Sequence, residues 1–341
     1  MGSTASRPRR WASLVIVLAS AAAVLVAAAG RRAGAAREDP AATGSSSAAA
    51  AAPPGPSASA AATASSAAAA PSALPDESAI EASCAIPDQG FGAYRAWRPL
   101  PTGRVLLPEV LPHGSYDLVV HFHGAEAARK LLAPAGLGVV IAGLDAGEGS
   151  TAYEEAFWGP QALDGMLEAV GAELGNDPAT RPKLRHVIIT SWSAGYGAVR
   201  QILIHQPWRP SAVVLLDSLH ASYAPGGGAL RSEELEPFVE LARRAQNGES
   251  VLFVTHSEIK PPGYASTSET ASYLLKQLGA QRRYAGMAPL EGVEQRTSYD
   301  HGGLHVRGFT GSTREAHCAQ LKMLLPLLRD EVLPALRGKA D

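Results

Sequence analysis

The stretch His186–Leu203, HVIITSWSAGYGAVRQIL, carries the most structural information in this chain. Its first part, Val187, Ile188, Ile189 and Thr190, is β-branched and apolar, the composition of a buried strand. Its last part places Val199, Ile202 and Leu203 on one face of a helix. Between them lies Ser191-Trp192-Ser193-Ala194-Gly195. A serine at the tip of a strand-to-helix turn sits in a strained backbone, and its hydroxyl is thrown clear of the sheet. A small residue two positions later lets the helix lie close to the strand. Gly195 meets that need, so Ser193 is the leading candidate for a nucleophile. Ser191 stands where glycine is usual. The plainer alternative is an ordinary βα turn in which Ser193 caps the helix.

Outward from this stretch, the chain reads as alternating strands and helices. Short strands are expected at 93–97 and 103–107, across Pro101-Thr102-Gly103. Longer ones are expected at 116–121, 138–142, 186–190, 212–216 and 251–254, and a hairpin at 296–299 and 304–309. Helices are expected at 125–132, 161–174, 233–245, 268–278 (capped by Ser268 or Thr267) and 314–328. That alternation predicts an α/β fold: a three-layer sandwich around a mainly parallel sheet of roughly eight strands. Only about thirty residues separate the sixth and seventh strands, too few for a large lid domain. The site is expected to be open, covered at most by the loop Ala224–Gly228. Tyr153, Trp158, Trp192 and Tyr223 are candidate lining aromatics.

Composition divides the 341 residues unevenly. Arg7, Arg9 and Arg10 precede an apolar run from Trp11 to Ala29, closed by Arg31 and Arg32. Residues 1–34 read as a signal peptide or an N-terminal signal anchor, with 11–29 able to tether the chain to a membrane. Residues 35–79 are Ala, Ser and Pro in the main. They bury too little apolar surface to offset chain entropy and read as a disordered linker. Residues 80–338 form the folded domain. This organisation implies a secreted, periplasmic or cell-envelope location. The formal charge of −2 comes with no basic stripe in the domain, which argues against nucleic-acid binding. The two cysteines, Cys84 and Cys318, lie near the two ends of the domain and could pair in an oxidising compartment.

With its serine turn after the fifth strand and His121-Phe122-His123-Gly124 after the third, the chain resembles the α/β-hydrolase superfamily, in its esterase-like and lipase-like branch. The resemblance spans most of residues 93–335. It implies a serine, an acid and a histidine in that chain order. Asp217, at the abrupt end of an apolar strand, is the expected acid, with Glu258 the alternative. His317 is the expected base, with His301 and His305 the alternatives. The oxyanion donors are expected to be the N–H groups of Ala194 and of Ala125 (or its neighbour Glu126). The resemblance thus implies an exported serine hydrolase cleaving a carboxylic ester through an acyl-enzyme. The substrate would be a small molecule or a polymer end, and no cofactor or metal is called for. A peptidase or acyltransferase would use the same parts. Two other classes stay open. One is a metal-dependent hydrolase with His121 and His123 as ligands, joined by His220 or His256. The other is a non-catalytic binding domain on the same scaffold.

Overall fold

The computed structural model describes residues 84–338. The expectations for 1–34 and for 35–79, including the membrane tether at 11–29, lie outside the described residues. Among those described, no helix is long and apolar enough to cross a membrane.

Ten strands form one sheet in the order β1-β2-β4-β3-β5-β6-β7-β10-β9-β8. They are β1 (Arg98–Pro99), β2 (Arg104–Leu106), β3 (Ser115–Phe122), β4 (Val140–Leu144), β5 (Lys183–Trp192), β6 (Ala212–Leu216), β7 (Val251–His256), β8 (Arg283–Leu290), β9 (Val293–His301) and β10 (Leu304–Phe309). The centre, β4-β3-β5-β6-β7-β10, is parallel. β1 and β2 at one edge and β9 and β8 at the other are antiparallel. The expected mainly parallel sheet of about eight strands is therefore corrected to a mixed sheet of ten. The connections explain the mixture. Parallel neighbours need a crossover element, whereas the short turns at 100–103, 291–292 and 302–303 can only fold a strand back beside its predecessor.

Nine helical segments surround the sheet among the described residues. They are α1 (Ala125–Leu132), α2 (Ser150–Ala156), α3 (Ala162–Leu174), α4 (Tyr196–His205), α5 (Ser232–Gln246), α6 (Thr267–Gln277), α7 (Arg314–Lys322), α8 (Leu324–Leu327) and α9 (Leu333–Arg337). Alternation along the strands divides the core into two layers. Leu118, Val120 and Phe122 of β3 and Val213 and Leu215 of β6 face one layer with α3, α4, α5 and α6. Val119 and then Ala212, Val214 and Leu216 face the other with α1, α7, α8 and α9. Because both faces are covered, β6 and β7 are buried throughout their length, which is why they read as unbroken apolar runs.

Several boundaries differ from the sequence reading. The strand expected at 93–97 does not form: β1 follows it at Arg98–Pro99, and Tyr94 pairs with Pro108 only as an isolated bridge, while the strand expected at 103–107 shrinks to β2. Ser266, not Ser268 or Thr267, caps α6, in a reciprocal box with Glu269. The single closing helix becomes α7, α8, a π-turn at Leu328–Val332 and α9. Pro326 and Pro334 remove two backbone donors there, and a wider turn absorbs the gap. Between β6 and β7 lie α5 and a turn closed by a Tyr223–Leu230 bridge.

Candidate active site

Five non-glycine residues among those described have left-handed φ values. Three of them, His123 (69°), Ser193 (49°) and Asp217 (46°), sit just past the carboxyl ends of β3, β5 and β6. Such backbone is costly for residues with a side chain and persists where surrounding structure holds it, which is commonest at functional sites. Strand ends on this side of an α/β sheet are also where ligands bind.

Ser193 opens a short 3₁₀ turn, Ser193–Gly195, that leads directly into α4. The turn is tight: a Cβ on Gly195 would come 2.3 Å from the Phe122 carbonyl oxygen. Ser191, in place of the usual glycine, has a partner. Its Oγ lies 2.8 Å from Ser218 Oγ, which in turn donates to the Ser193 carbonyl at 2.8 Å. The departure thus ties the turn to the residue after Asp217.

Asp217 is buried at the end of β6 and accepts three hydrogen bonds. Oδ1 takes the Ser257 N–H at 2.9 Å and the Thr267 hydroxyl. Oδ2 takes His317 Nδ1–H at 2.7 Å. Burial on its own would raise the pKa of this carboxyl, but the His317 bond and charge, with the Thr267 and Ser257 donors, hold it down at about 2. Asp217 is therefore an anion at neutral pH, and it fixes the His317 tautomer that leaves Nε2 free to accept a proton.

His317 lies in the first turn of α7, whose start is capped by the Thr313 hydroxyl. Its ring stands 4.6 Å from the Trp192 ring. Trp192 also stacks with His123 at 5.3 Å, and its Nε1–H donates to the His317 carbonyl at 3.1 Å. Trp192 thus does not line the cavity at Ser193 but packs its ring against His317. Next to it, Cys318 is joined to Cys84 by a disulfide.

Ser193, Asp217 and His317 line one cavity of about 330 Å³ with His220, Ile259 and Tyr264. Tyr264 is a lining aromatic that the sequence reading missed; it lies in an irregular loop, where no periodicity marks it. Tyr153 is fully buried and hydrogen-bonded to His123, Trp158 is exposed, and Tyr223 bonds Glu269. None of these three lines the cavity, and neither does the loop Ala224–Gly228.

Glu258, His301 and His305 do not line this cavity. Glu258 is taken by Arg296 at 2.6 Å and by the Gly311 N–H. His305 stacks on Phe253 and bonds Asp300, and His301 ends β9 with its side chain exposed.

Ala194 is placed where the N–H groups at the start of the turn and helix have no intrahelical acceptor. Ala125 requires a correction. Its N–H points at the Asp145 carboxylate, 3.1 and 3.0 Å from the two oxygens, and the Gly124 N–H donates to the same group at 2.6 Å. Asp145 leaves the end of β4 and neutralises the N-terminus of α1, as carboxylates do there. The Ala125 donor is already used.

His121 and His123, the ligands named for the metal-dependent alternative, are held by other groups. β3 ends at Phe122, and the left-handed turn at His123 takes that side chain off the strand face it would share with His121. His121 Nε2–H donates to the His123 carbonyl at 3.0 Å, and its Nδ1 meets the Thr190 hydroxyl at 2.8 Å. Burial drives both imidazoles down to about 4, so they are neutral packing groups at pH 7. His220 bonds the Ala265 carbonyl and His256 the Ser257 carbonyl. Among the described residues no group of three or more His, Cys, Asp or Glu side chains could hold a metal ion.

The chain matches no protein-family description and no curated protein by sequence. Its structure is similar to solved carboxylesterases and serine hydrolases. Carboxylesterase CesB from Bacillus subtilis is 10% identical, with 77% of this chain and 96% of that chain covered and a TM-score of 0.39. S-formylglutathione hydrolase from Staphylococcus aureus is 12% identical, with 72% and 99% covered and a TM-score of 0.40. The enterobactin esterase of Shigella flexneri is 14% identical, with 71% and 62% covered and a TM-score of 0.43.

Proposed function

We propose that this protein is a serine hydrolase that cleaves small carboxylic esters through an acyl-enzyme. The observation that carries this reading is the Asp217–His317 pair, 2.7 Å apart, in the cavity that also holds Ser193 on its strained turn. Ser193 Oγ attacks the ester carbonyl carbon as its proton passes to His317 Nε2. Asp217 orients the imidazole and balances the imidazolium. The tetrahedral oxyanion takes the Ala194 N–H at the start of the turn. Collapse breaks the C–O bond, and His317 returns the proton to the leaving alcohol. Water, deprotonated by His317, then releases the acid and regenerates Ser193. A cavity of about 330 Å³ with Ile259, Pro261 and Tyr264 in its wall favours a short acyl or small aromatic group.

Export belongs to the same reading. The Cys84–Cys318 disulfide supports an oxidising compartment. In this reading residues 1–34 direct export or anchor the chain, and 35–79 hold the 80–338 domain away from the membrane.

The test is the hydrolysis of 4-nitrophenyl acetate, hexanoate and palmitate by the wild type and by Ser193→Ala. The wild type should cleave the shorter esters best, and Ser193→Ala should lose about 10³-fold or more in kcat/KM. Undiminished turnover by Ser193→Ala would exclude the mechanism.

A further inference from the structure

A larger cavity, of about 660 Å³, lies between α6, the loop 279–282, the carboxyl ends of β7 and β10 and the middle of β9. Its walls carry Arg282, Lys276 and Arg296 but a single carboxylate, Glu258. Glu258 is consumed by Arg296, 2.6 Å away, and by the Gly311 N–H. Arg282 has only neutral acceptors, His256 Nε2 and Ser272 Oγ. Among the described residues no carboxylate forms an ion pair with Arg282 or with Lys276. Burial pulls the Arg282 pKa below its ordinary value, with no opposing charge to hold it up. The cavity therefore carries about two uncompensated positive charges.

A second feature points the same way. Thr297 Oγ1, on the same wall, is shielded from solvent and has no hydrogen-bond partner. Gly308 keeps this corner open, since a Cβ there would come 2.4 Å from Thr297 Oγ1 and 2.5 Å from the His256 ring. Arg282 and Lys276 thus bring two cationic donors to one concavity without a carboxylate to pair them, and the unpartnered Thr297 hydroxyl lies within its wall. Positive charges grouped in a concavity without a counter-charge favour the binding of an anion there.

We propose that this cavity binds a small molecule through its carboxylate or phosphoryl group, held by Arg282 and Lys276. The planar guanidinium suits two parallel bonds to such an oxyanion. The volume exceeds what one oxyanion needs, so the group is the anchor of a larger ligand. The site is separate from the Ser193 cavity, and binding to it does not depend on hydrolysis.

The test is calorimetric titration of the full chain with sodium phosphate and with sodium acetate, against sodium chloride at matched ionic strength. Saturable binding of phosphate alone identifies a phosphoryl anchor, and of acetate alone a carboxylate anchor. Arg282→Gln should weaken that binding by about tenfold or more, the scale of a charge-assisted hydrogen bond. Lys276→Gln, at an exposed position that cannot threaten folding, should weaken it by a smaller factor. In chloride, Arg282→Gln should melt no lower than the wild type, because it removes an uncompensated charge. Neither anion saturating, unchanged affinity in Arg282→Gln, or a lower melting temperature for that variant in chloride would each overturn the proposal.

Discussion

Asp217 and Trp192 together determine how His317 behaves. Asp217 holds the ring by its Nδ1–H, and Trp192 presents an aromatic face to it. In the proposed mechanism His317 carries the proton from Ser193 as an imidazolium, and a cation over an indole is stabilised by about 0.5–2 kcal/mol. Trp192→Leu should therefore lower kcat by about two- to thirtyfold with little change in KM. A purely structural role would leave kcat unchanged in the molecules that remain folded. Asp217→Asn should cost about 10⁴-fold in kcat, because the amide cannot stabilise the charged ring or enforce its tautomer. Steady-state kinetics of both variants check these values. Ser193 is legible in the sequence because a strand, a small-residue turn and a helix are all local patterns. The choice of Asp217 over Glu258 is weaker there, since both follow apolar strands. In the structure Asp217 bonds His317, whereas Arg296 reaches Glu258 from β9. The Asp145 carboxylate on the Ala125 N–H is not legible at all, because it depends on how the chain leaves β4.

At the level of elements, the junction of β5 with α4 bears the closest packing at the site. Gly195→Ala would drive a methyl group into the Phe122 carbonyl. The turn must open, and we expect a loss of about 1–3 kcal/mol in stability together with the loss of ester hydrolysis. Urea unfolding monitored by circular dichroism, with activity measured on the folded fraction, tests both. The central strands are readable because burial on both faces makes them unbroken apolar runs. β8 is not. RYAGMAPL contains Gly286 and Pro289, and its register with β9 slips between Tyr284 and Ala288. An outermost strand tolerates both residues because one of its edges needs no ladder partner. α2 escapes for a related reason: at seven residues, its pattern is too short to show a helical period.

For the whole molecule, stability should depend on redox state and on acid. The disulfide links positions 234 residues apart, so Cys318→Ser should lower unfolding free energy by about 2–5 kcal/mol. It should also loosen α7 beside His317, and denaturant midpoints with and without reductant measure the effect. His121, His123 and His256 are buried, and their pKa values fall from an ordinary 6.5 to about 4. The unfolded chain binds protons at these sites first, so stability should decline as pH drops from about 6.5 towards 4. Asp217, held at about 2, adds a further loss only below its ordinary value of 3.8. A urea midpoint that is flat from pH 6.5 to 4 would contradict this. The decisive measurement on the intact protein is mass spectrometry after exposure to a fluorophosphonate probe. One adduct located on Ser193, absent in Ser193→Ala and much slower to form in His317→Ala, is the result expected. A folded wild-type protein that stays unlabelled, or that is labelled at a residue other than Ser193, would contradict the serine-hydrolase reading.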